Sequence, residues 1–192
     1  MIAKQKKLLR NAVIIVLIIA VVWMFVPTHQ IIYMAIPASK AKISWMYFRD
    51  KSLLTSVAGY FQESGYYGIY IPASDYIYNT KDTGYMFANI IPDKVGENVP
   101  IEDQRVLRDI NILFKAKGYW TIEKDGNTIA FFISTAREHD RGIAYTIDGS
   151  PPVLDFVVDY KLLSSDGHWY YYEEDWTREH RLEVLKEKGL IE

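Results

Sequence analysis

Residues 135–141 (TAREHDR) form the most polar cluster of the chain and contain the residue types that carry out acid–base chemistry. His139 titrates near neutral pH and would act as a general base or a metal ligand, with Glu138 or Asp140 orienting its ring. The cluster falls between two predicted strands, and a solvated loop of mixed charge has the same composition. Because adjacent strand residues point to opposite faces, neighbouring Glu, His and Asp rarely converge on one ion. We therefore expect a loop and assign no catalytic residue.

The histidines of the body lack the spacing of a metal site. His139, His168 and His180 are well separated, and neither HxxxH nor HExxH occurs in the chain. A zinc site would require the fold to bring two or three of these rings together. We expect no metal and no cofactor.

The sequence WYYYEEDW, which begins at Trp169, has the most unusual composition in the chain. Tyr and Trp supply a large contact area at a low entropy cost, so this stretch predicts a surface for sugar rings or for a protein. The candidate binding residues are Trp169, Tyr170, Tyr172 and Trp176. A structural role is the alternative, because Trp169 and Tyr171 would face one side of a strand and Tyr170 and Tyr172 the other.

Composition and motifs exclude several classes of function. No GxGxxG, GxxxxGK[ST] or GxSxG sequence occurs, so nothing indicates a nucleotide site or a serine hydrolase of that type. From Lys40 onwards 18 basic residues stand against 24 acidic ones, which argues against nucleic acid as a partner. The absence of cysteine removes disulfides and thiol catalysis, and it suits a domain outside the cytoplasm.

An apolar run at residues 12–26 (AVIIVLIIAVVWMFV) follows a basic start, in which the charged residues are Lys4, Lys6, Lys7 and Arg10. A helix needs about 20 residues to cross the ~30 Å hydrocarbon layer, and residues 8–30 supply that length. We expect residues 1–37 to form a cytoplasmic basic tip and a single-pass transmembrane anchor, with the lipid bilayer as its partner. Basic residues ahead of the span favour a cytoplasmic N-terminus and a C-terminal domain outside the cell membrane.

Two other interpretations of the apolar run stay open, a cleaved secretory signal and a buried helix of a soluble protein. A signal needs small residues shortly after its apolar core, and Tyr33-Met34-Ala35 places a bulky residue where a small one is required. The retained anchor is therefore the expectation.

The rest of the chain predicts an α+β domain. Residues 38–64 carry apolar side chains at helical spacing, so we expect a helix that continues into the domain. Residues 65–192 contain strand-like runs, two hairpin signals at Gly126 and Gly167, a helix after Pro100 and a last amphipathic helix. Residues 92–100, rich in Pro, Gly and Asn, predict a loop. Consecutive strands favour an antiparallel sheet of about five to seven strands, packed by two or three helices.

Function is predicted only in outline. The anchor, the lack of a catalytic constellation and the aromatic stretch favour a membrane-anchored extracytoplasmic domain, not an enzyme, that binds a protein or an envelope polymer. The alternative is a cell-envelope hydrolase that uses His139 with nearby carboxylates.

Overall fold

The computed structural model describes residues 10–19, 38–65, 68–72, 87–91, 94–136 and 138–190 of the 192-residue chain. The described part contains four α-helices: α1 at residues 10–19, α2 at Lys40–Glu63, α3 at Gln104–Ile112 and α4 at Arg178–Glu187. A π-helical turn, Leu113–Lys117, extends α3. The eight strands are β1 Gly68–Pro72, β2 Phe87–Ile91, β3 Lys94–Pro100, β4 Thr121–Asp125, β5 Thr128–Ala136, β6 His139–Thr146, β7 Val157–Leu162 and β8 Trp169–Asp175.

Six of these strands form one antiparallel sheet in the order β1-β4-β5-β6-β8-β7, and β2 pairs with β3 in a separate hairpin. The fold is therefore α+β, as predicted. Both predicted hairpins are present, because Gly126 and Gly167 adopt the positive φ angles of 52° and 84° that tight turns require. The edges of the large sheet are β1 and β7.

Helix α2 covers one face of the sheet. Its N-terminus is capped by Ser39, whose hydroxyl accepts a hydrogen bond from Lys42 N. Apolar residues at helical spacing face inward, so α2 lies against β5, β6 and β8, and α3 packs against α2. The core between the helices and the sheet includes Ile43, Tyr47, Leu54, Phe61, Ile110, Phe114, Phe131, Ile143 and Trp169. We call this side of the sheet the helix face and the other side the open face.

Two local predictions are wrong, and a third is confirmed only in part. Residues 94–100 form strand β3 and not a loop, because pairing with β2 overrides the weak strand preference of Gly and Asn. Residues 135–141 are mostly strand, with a turn in which Glu138 adopts a φ of 69°. The predicted last helix is present as α4, but it buries none of its residues, so apolar members such as Leu182 do not give it a buried face.

The predicted anchor is only partly described. Residues 10–19 are helical, and each of them is exposed, including the seven large apolar residues from Val13 to Ile19. This segment is thus not buried in the body of the protein. The rest of the span predicted at residues 8–30 lies outside the described residues. Among the helices of the described part, none combines the length and the apolar character needed to cross a membrane.

Candidate functional site

The start of β6 and the end of β8 bring charged side chains together on the helix face of the sheet. Arg141 Nη2 donates to Glu173 Oε1 across 2.8 Å, and the Tyr171 hydroxyl donates to Glu173 Oε2 across 2.8 Å. His139 Nδ1 lies 3.5 Å from Glu173 Oε1. His139 is thus beside a carboxylate from the neighbouring strand and not beside its own sequence neighbours, since Asp140 points to the open face.

Glu173 is fully engaged as a charged hydrogen-bond acceptor. Burial alone would raise its pKa, but the hydrogen bonds from Arg141 and Tyr171 outweigh burial and hold the pKa below its usual value. A carboxylate in this state orients its neighbours and is a poor proton acceptor. The cluster therefore has the geometry of an ion-pair network that joins β6 to β8.

The same strand ends also place two acidic residues next to each other on the open face. Asp140 and Glu174 are directly opposite each other in the β6–β8 register. Burial raises the pKa of Glu174 to about 8, with further contributions from the charges of Asp140 and Glu123. Glu174 is only 2% exposed, so the protonated carboxyl that dominates at neutral pH is held away from solvent.

The aromatic stretch is a structural element of both faces. Trp169 and Tyr171 belong to the core beneath the helices, and Tyr170 and Tyr172 to a smaller cluster on the open face. Trp169, Tyr170 and Tyr172 are all less than 10% exposed, so their rings do not form an open stacking platform. Trp176 is half-buried, and its ring packs against that of Phe156 at 4.3 Å. Binding by these residues stays a prediction.

The other two histidines of the body each have a partner of their own. His168 Nδ1 lies 2.7 Å from the carbonyl oxygen of Thr146, and its ring stacks on Tyr145. His180 Nδ1 is 3.9 Å from Glu183 within helix α4. Over the described residues, no three His, Asp or Glu side chains are grouped in a way that could hold a metal ion.

A pocket of about 330 Å³ lies at the opposite end of the sheet, beside the β4–β5 turn. The carboxylate of Asp148 accepts hydrogen bonds from the backbone and hydroxyl of Ser150, and one from Asn127 Nδ2. The bonds from Ser150 lower the pKa of Asp148. All these partners belong to the protein itself, so Asp148 holds its own turn against the β4–β5 turn. The pocket therefore lies where two turns meet, and its carboxylate already has a structural role.

Strand β7 presents the most distinctive accessible surface. It pairs with β8 alone among the described strands, and three of its apolar side chains are about half exposed: Val158, Tyr160 and Leu162. The Tyr160 ring packs edge-on against the Tyr170 ring, with 6.2 Å between the ring centroids. One of the binding residues predicted from the sequence thus contacts this surface from the buried side.

Comparison with known proteins found no matching family model, no similar curated protein and no similar solved structure.

The backbone of β7 offers hydrogen bonds towards the open edge. Leu163 N donates to Trp169 O across 2.7 Å. Hydrogen-bonded pairs alternate along an antiparallel ladder, so the next such pair is Lys161 with Tyr171. The N–H and C=O groups of Tyr160 and Leu162 consequently point away from β8. The sequence signal for this surface was the alternation of apolar residues in VVDYKL, but only the strand order reveals that it lies at an edge.

Proposed function

We propose that this protein is a membrane-anchored domain that binds a partner protein by accepting an extended segment of that partner beside β7. The single observation that carries the proposal is the edge of β7, which no strand of the described residues other than β8 pairs with, and which has outward backbone groups at Tyr160 and Leu162 and half-exposed apolar side chains. Strand addition of this kind gains affinity from main-chain hydrogen bonds and specificity from the side chains.

The edge has features that would restrict pairing to a selected partner. A register shift between Val157 and Asp159 interrupts the ladder with β8, and the charged residues Asp159 and Lys161 flank Tyr160. Bulges and charges on edge strands suppress indiscriminate association of sheets. A partner segment would therefore pair mainly along residues 159–162 and would need side chains that suit Tyr160 and Leu162.

Anchoring is the second element of the proposal. The uncharged stretch from residue 11 to residue 39 and the exposed apolar side chains of α1 support insertion of residues 8–30 into the bilayer. An isolated apolar helix with every side chain exposed would be unfavourable in water, and lipid is the environment that suits it. The basic residues before the span favour a cytoplasmic N-terminus and an extracytoplasmic body.

The charged clusters give less support to an enzyme. A hydrolase that uses His139 remains the second candidate, and the observation in its favour is the 3.5 Å approach of His139 Nδ1 to Glu173. Against it, Glu173 is engaged by Arg141 and Tyr171, and Glu174 is buried. Incubation of the purified chain with a peptidoglycan preparation tests the enzyme: release of soluble fragments that His139→Ala abolishes would favour it over strand addition.

The test of strand addition is a pair of proline substitutions in β7. Leu162→Pro removes an N–H group that points to the open edge, whereas Lys161→Pro removes one that bonds to β8. A photoreactive residue at Tyr160 of the full-length chain, in host membranes, should form an adduct with a defined partner. We expect Leu162→Pro to abolish the adduct while thermal unfolding of the chain stays close to that of the parent.

Two controls test whether the adduct depends on the open edge of β7. A photoreactive residue at Gln62, which is exposed on α2, should give no such adduct. Lys161→Pro should lower the unfolding temperature, because it removes a hydrogen bond to β8 that Leu162→Pro leaves intact. An adduct that persists in Leu162→Pro, or one that forms equally well from Gln62, would refute strand addition, and an adduct with a second copy of the chain would identify self-association instead.

A further inference from the structure

We propose that the helix layer, α2 with α3, rests on the lipid headgroups next to the anchor, and that Trp45 and Phe48 enter the membrane interface. This inference rests on the anchoring proposed above and adds an orientation of the body. It identifies one surface, the N-terminal half of α2, and one occupant, a bilayer that contains anionic phospholipid.

The outer side of α2 changes character along its length. Exposed residues recur at helical spacing and form one stripe, which consists of Ala41, Trp45, Phe48, Ser52 and Thr55. The first half of the stripe is apolar and aromatic, with Phe48 64% exposed and Trp45 38% exposed. The second half is polar. Aromatic side chains at headgroup level are typical of membrane interfaces, so the half nearer the anchor is the half that suits lipid.

Charge is divided between the helix layer and the rest of the body. Helices α2 and α3 with the π-helical turn carry eight Lys and Arg and three Asp and Glu, a formal charge of +5. The other residues from position 40 onwards carry 10 basic and 21 acidic residues, a formal charge of −11. An anionic membrane surface attracts the first and repels the second, so the field turns the helix layer towards the lipid.

The tether between anchor and body is short. Ala38 is fixed to the sheet, because its N–H donates to Ser134 Oγ across 3.1 Å and its carbonyl accepts from Arg141 across 3.4 Å. From the end of the expected span at Gln30, eight residues reach at most about 28 Å. Trp45 and Phe48 follow Ala38 within about 15 Å along the helix axis. The patch is therefore held within reach of the bilayer surface.

The small size of the patch argues for lipid over a protein. A stable protein interface buries about 800 Å² on each partner, more than two exposed aromatic side chains of one helix supply. Two aromatic residues among basic ones match the composition of interfacial membrane contacts.

The test uses the absence of cysteine from the chain. Single-cysteine variants Phe48→Cys, Gln62→Cys and Ile14→Cys of the full-length chain are labelled with an environment-sensitive fluorophore and reconstituted into vesicles of equal parts phosphatidylcholine and phosphatidylglycerol. Quenching by a lipid that carries a nitroxide near its headgroup then measures contact with the interface. Trp45→Cys provides a second position on the patch.

We expect the labels at Phe48 and Trp45 to be quenched several-fold more than the label at Gln62, and less strongly in vesicles of phosphatidylcholine alone. The label at Ile14 reports anchoring itself and should be quenched in both lipid mixtures. If the label at Ile14 is quenched while the labels at Phe48 and Gln62 are quenched to the same extent, the docking of the helix layer is refuted and the anchoring stands. If the label at Ile14 is not quenched in either lipid mixture, the anchoring is refuted, and so is the docking that rests on it.

Discussion

The hydroxyl of Tyr119 lies 3.3 Å from Oδ2 of Asp50, although the two residues are 69 positions apart in the chain. The side chain of Asp50 is completely buried in α2, and it also binds Arg49 Nε at 2.8 Å and Lys117 Nζ at 3.4 Å. One carboxylate thus connects α2, the π-helical turn and the segment that leads into β4. Burial, followed by the charge of Asp50, raises the pKa of Tyr119 well above its usual value, so the phenol stays protonated and donates.

Removal of this carboxylate should destabilise the helix layer. Asp50→Ala removes the buried carboxylate that Arg49 and Lys117 bind, and the loss of these charged contacts should lower the free energy of unfolding by about 1.5–3 kcal/mol. Tyr119→Phe removes one hydrogen bond and should lower it by about 1 kcal/mol. Urea unfolding of the full-length chain in detergent, followed by circular dichroism, measures both.

The matched control is Asp155→Ala, which removes the exposed ion pair with Lys188. Exposed pairs contribute about 0–1 kcal/mol, so the stability of this variant should stay near that of the parent. The double variant of Asp50 and Tyr119 should lose less than the sum of the single losses, because the two share one interaction. Strict additivity would contradict the contact.

Glu174 should make stability depend on pH. Its pKa is about 8 in the folded chain, against about 4.5 for an exposed glutamate, because burial and the charges of Asp140 and Glu123 disfavour the ionised form. Between these pH values the folded state binds the extra proton. Stability therefore falls as the pH rises from 4.5 to 8, and the loss is complete above pH 8, at up to about 5 kcal/mol.

Substitution by a neutral isostere tests this directly. Glu174→Gln should have parental stability near pH 5 and exceed the parent at pH 9, as measured by urea unfolding at a series of pH values. Glu183→Gln, at a side chain that is 71% exposed in α4, should keep the pH profile of the parent. A Glu174→Gln profile parallel to that of the parent would show that Glu174 is not the titrating group.

Gly142 should not tolerate a side chain. A Cβ at this position would lie 2.3 Å from the carbonyl oxygen of Phe131 and 2.8 Å from the Tyr172 ring. The first atom belongs to the backbone of the neighbouring strand and cannot move without disrupting the β5–β6 ladder. Gly142→Ala should therefore lower the free energy of unfolding by about 1–3 kcal/mol or more.

Gly59 provides the opposite case for comparison. It lies within α2, and a Cβ there would meet nothing within 4 Å. Gly59→Ala should raise stability by about 0.5–1 kcal/mol, because alanine loses less conformational entropy than glycine when a helix forms. Thermal unfolding of both variants under one set of conditions measures the contrast, and equal effects would argue against the close approach at Gly142.

Local chemistry explains which parts of the fold the sequence predicts. The periodic apolar residues of α2 and the turn glycines Gly126 and Gly167 act through neighbours in the chain, and they are sufficient to locate a helix and two hairpins. Strand β3 was missed because its partner β2, not its own composition, stabilises it. Helix α4 forms where it was predicted, but it has no buried face, since a few apolar residues do not by themselves produce burial.

The functional surface depended on contacts between distant residues. His139 meets Glu173 through the pairing of β6 with β8, and no spacing within residues 135–141 indicates that contact. Trp169 and Tyr170 are the aromatic residues that the composition singles out, yet the sheet buries both, whereas Tyr160 on the neighbouring strand β7 is accessible. Strand order decides which of these residues is exposed, and strand order is a property of the whole chain.

Sidedness should be visible in intact cells. The expected arrangement places Gln5 in the cytoplasm and Gln62 outside, so a membrane-impermeant maleimide should label Gln62→Cys and not Gln5→Cys. Both variants should be labelled after the cells are opened. Labelling of Gln5→Cys alone in intact cells would show the inverse orientation. Recovery of the Gln5→Cys label on the full-length chain distinguishes a retained anchor from a cleaved signal, because cleavage would separate that label from the body.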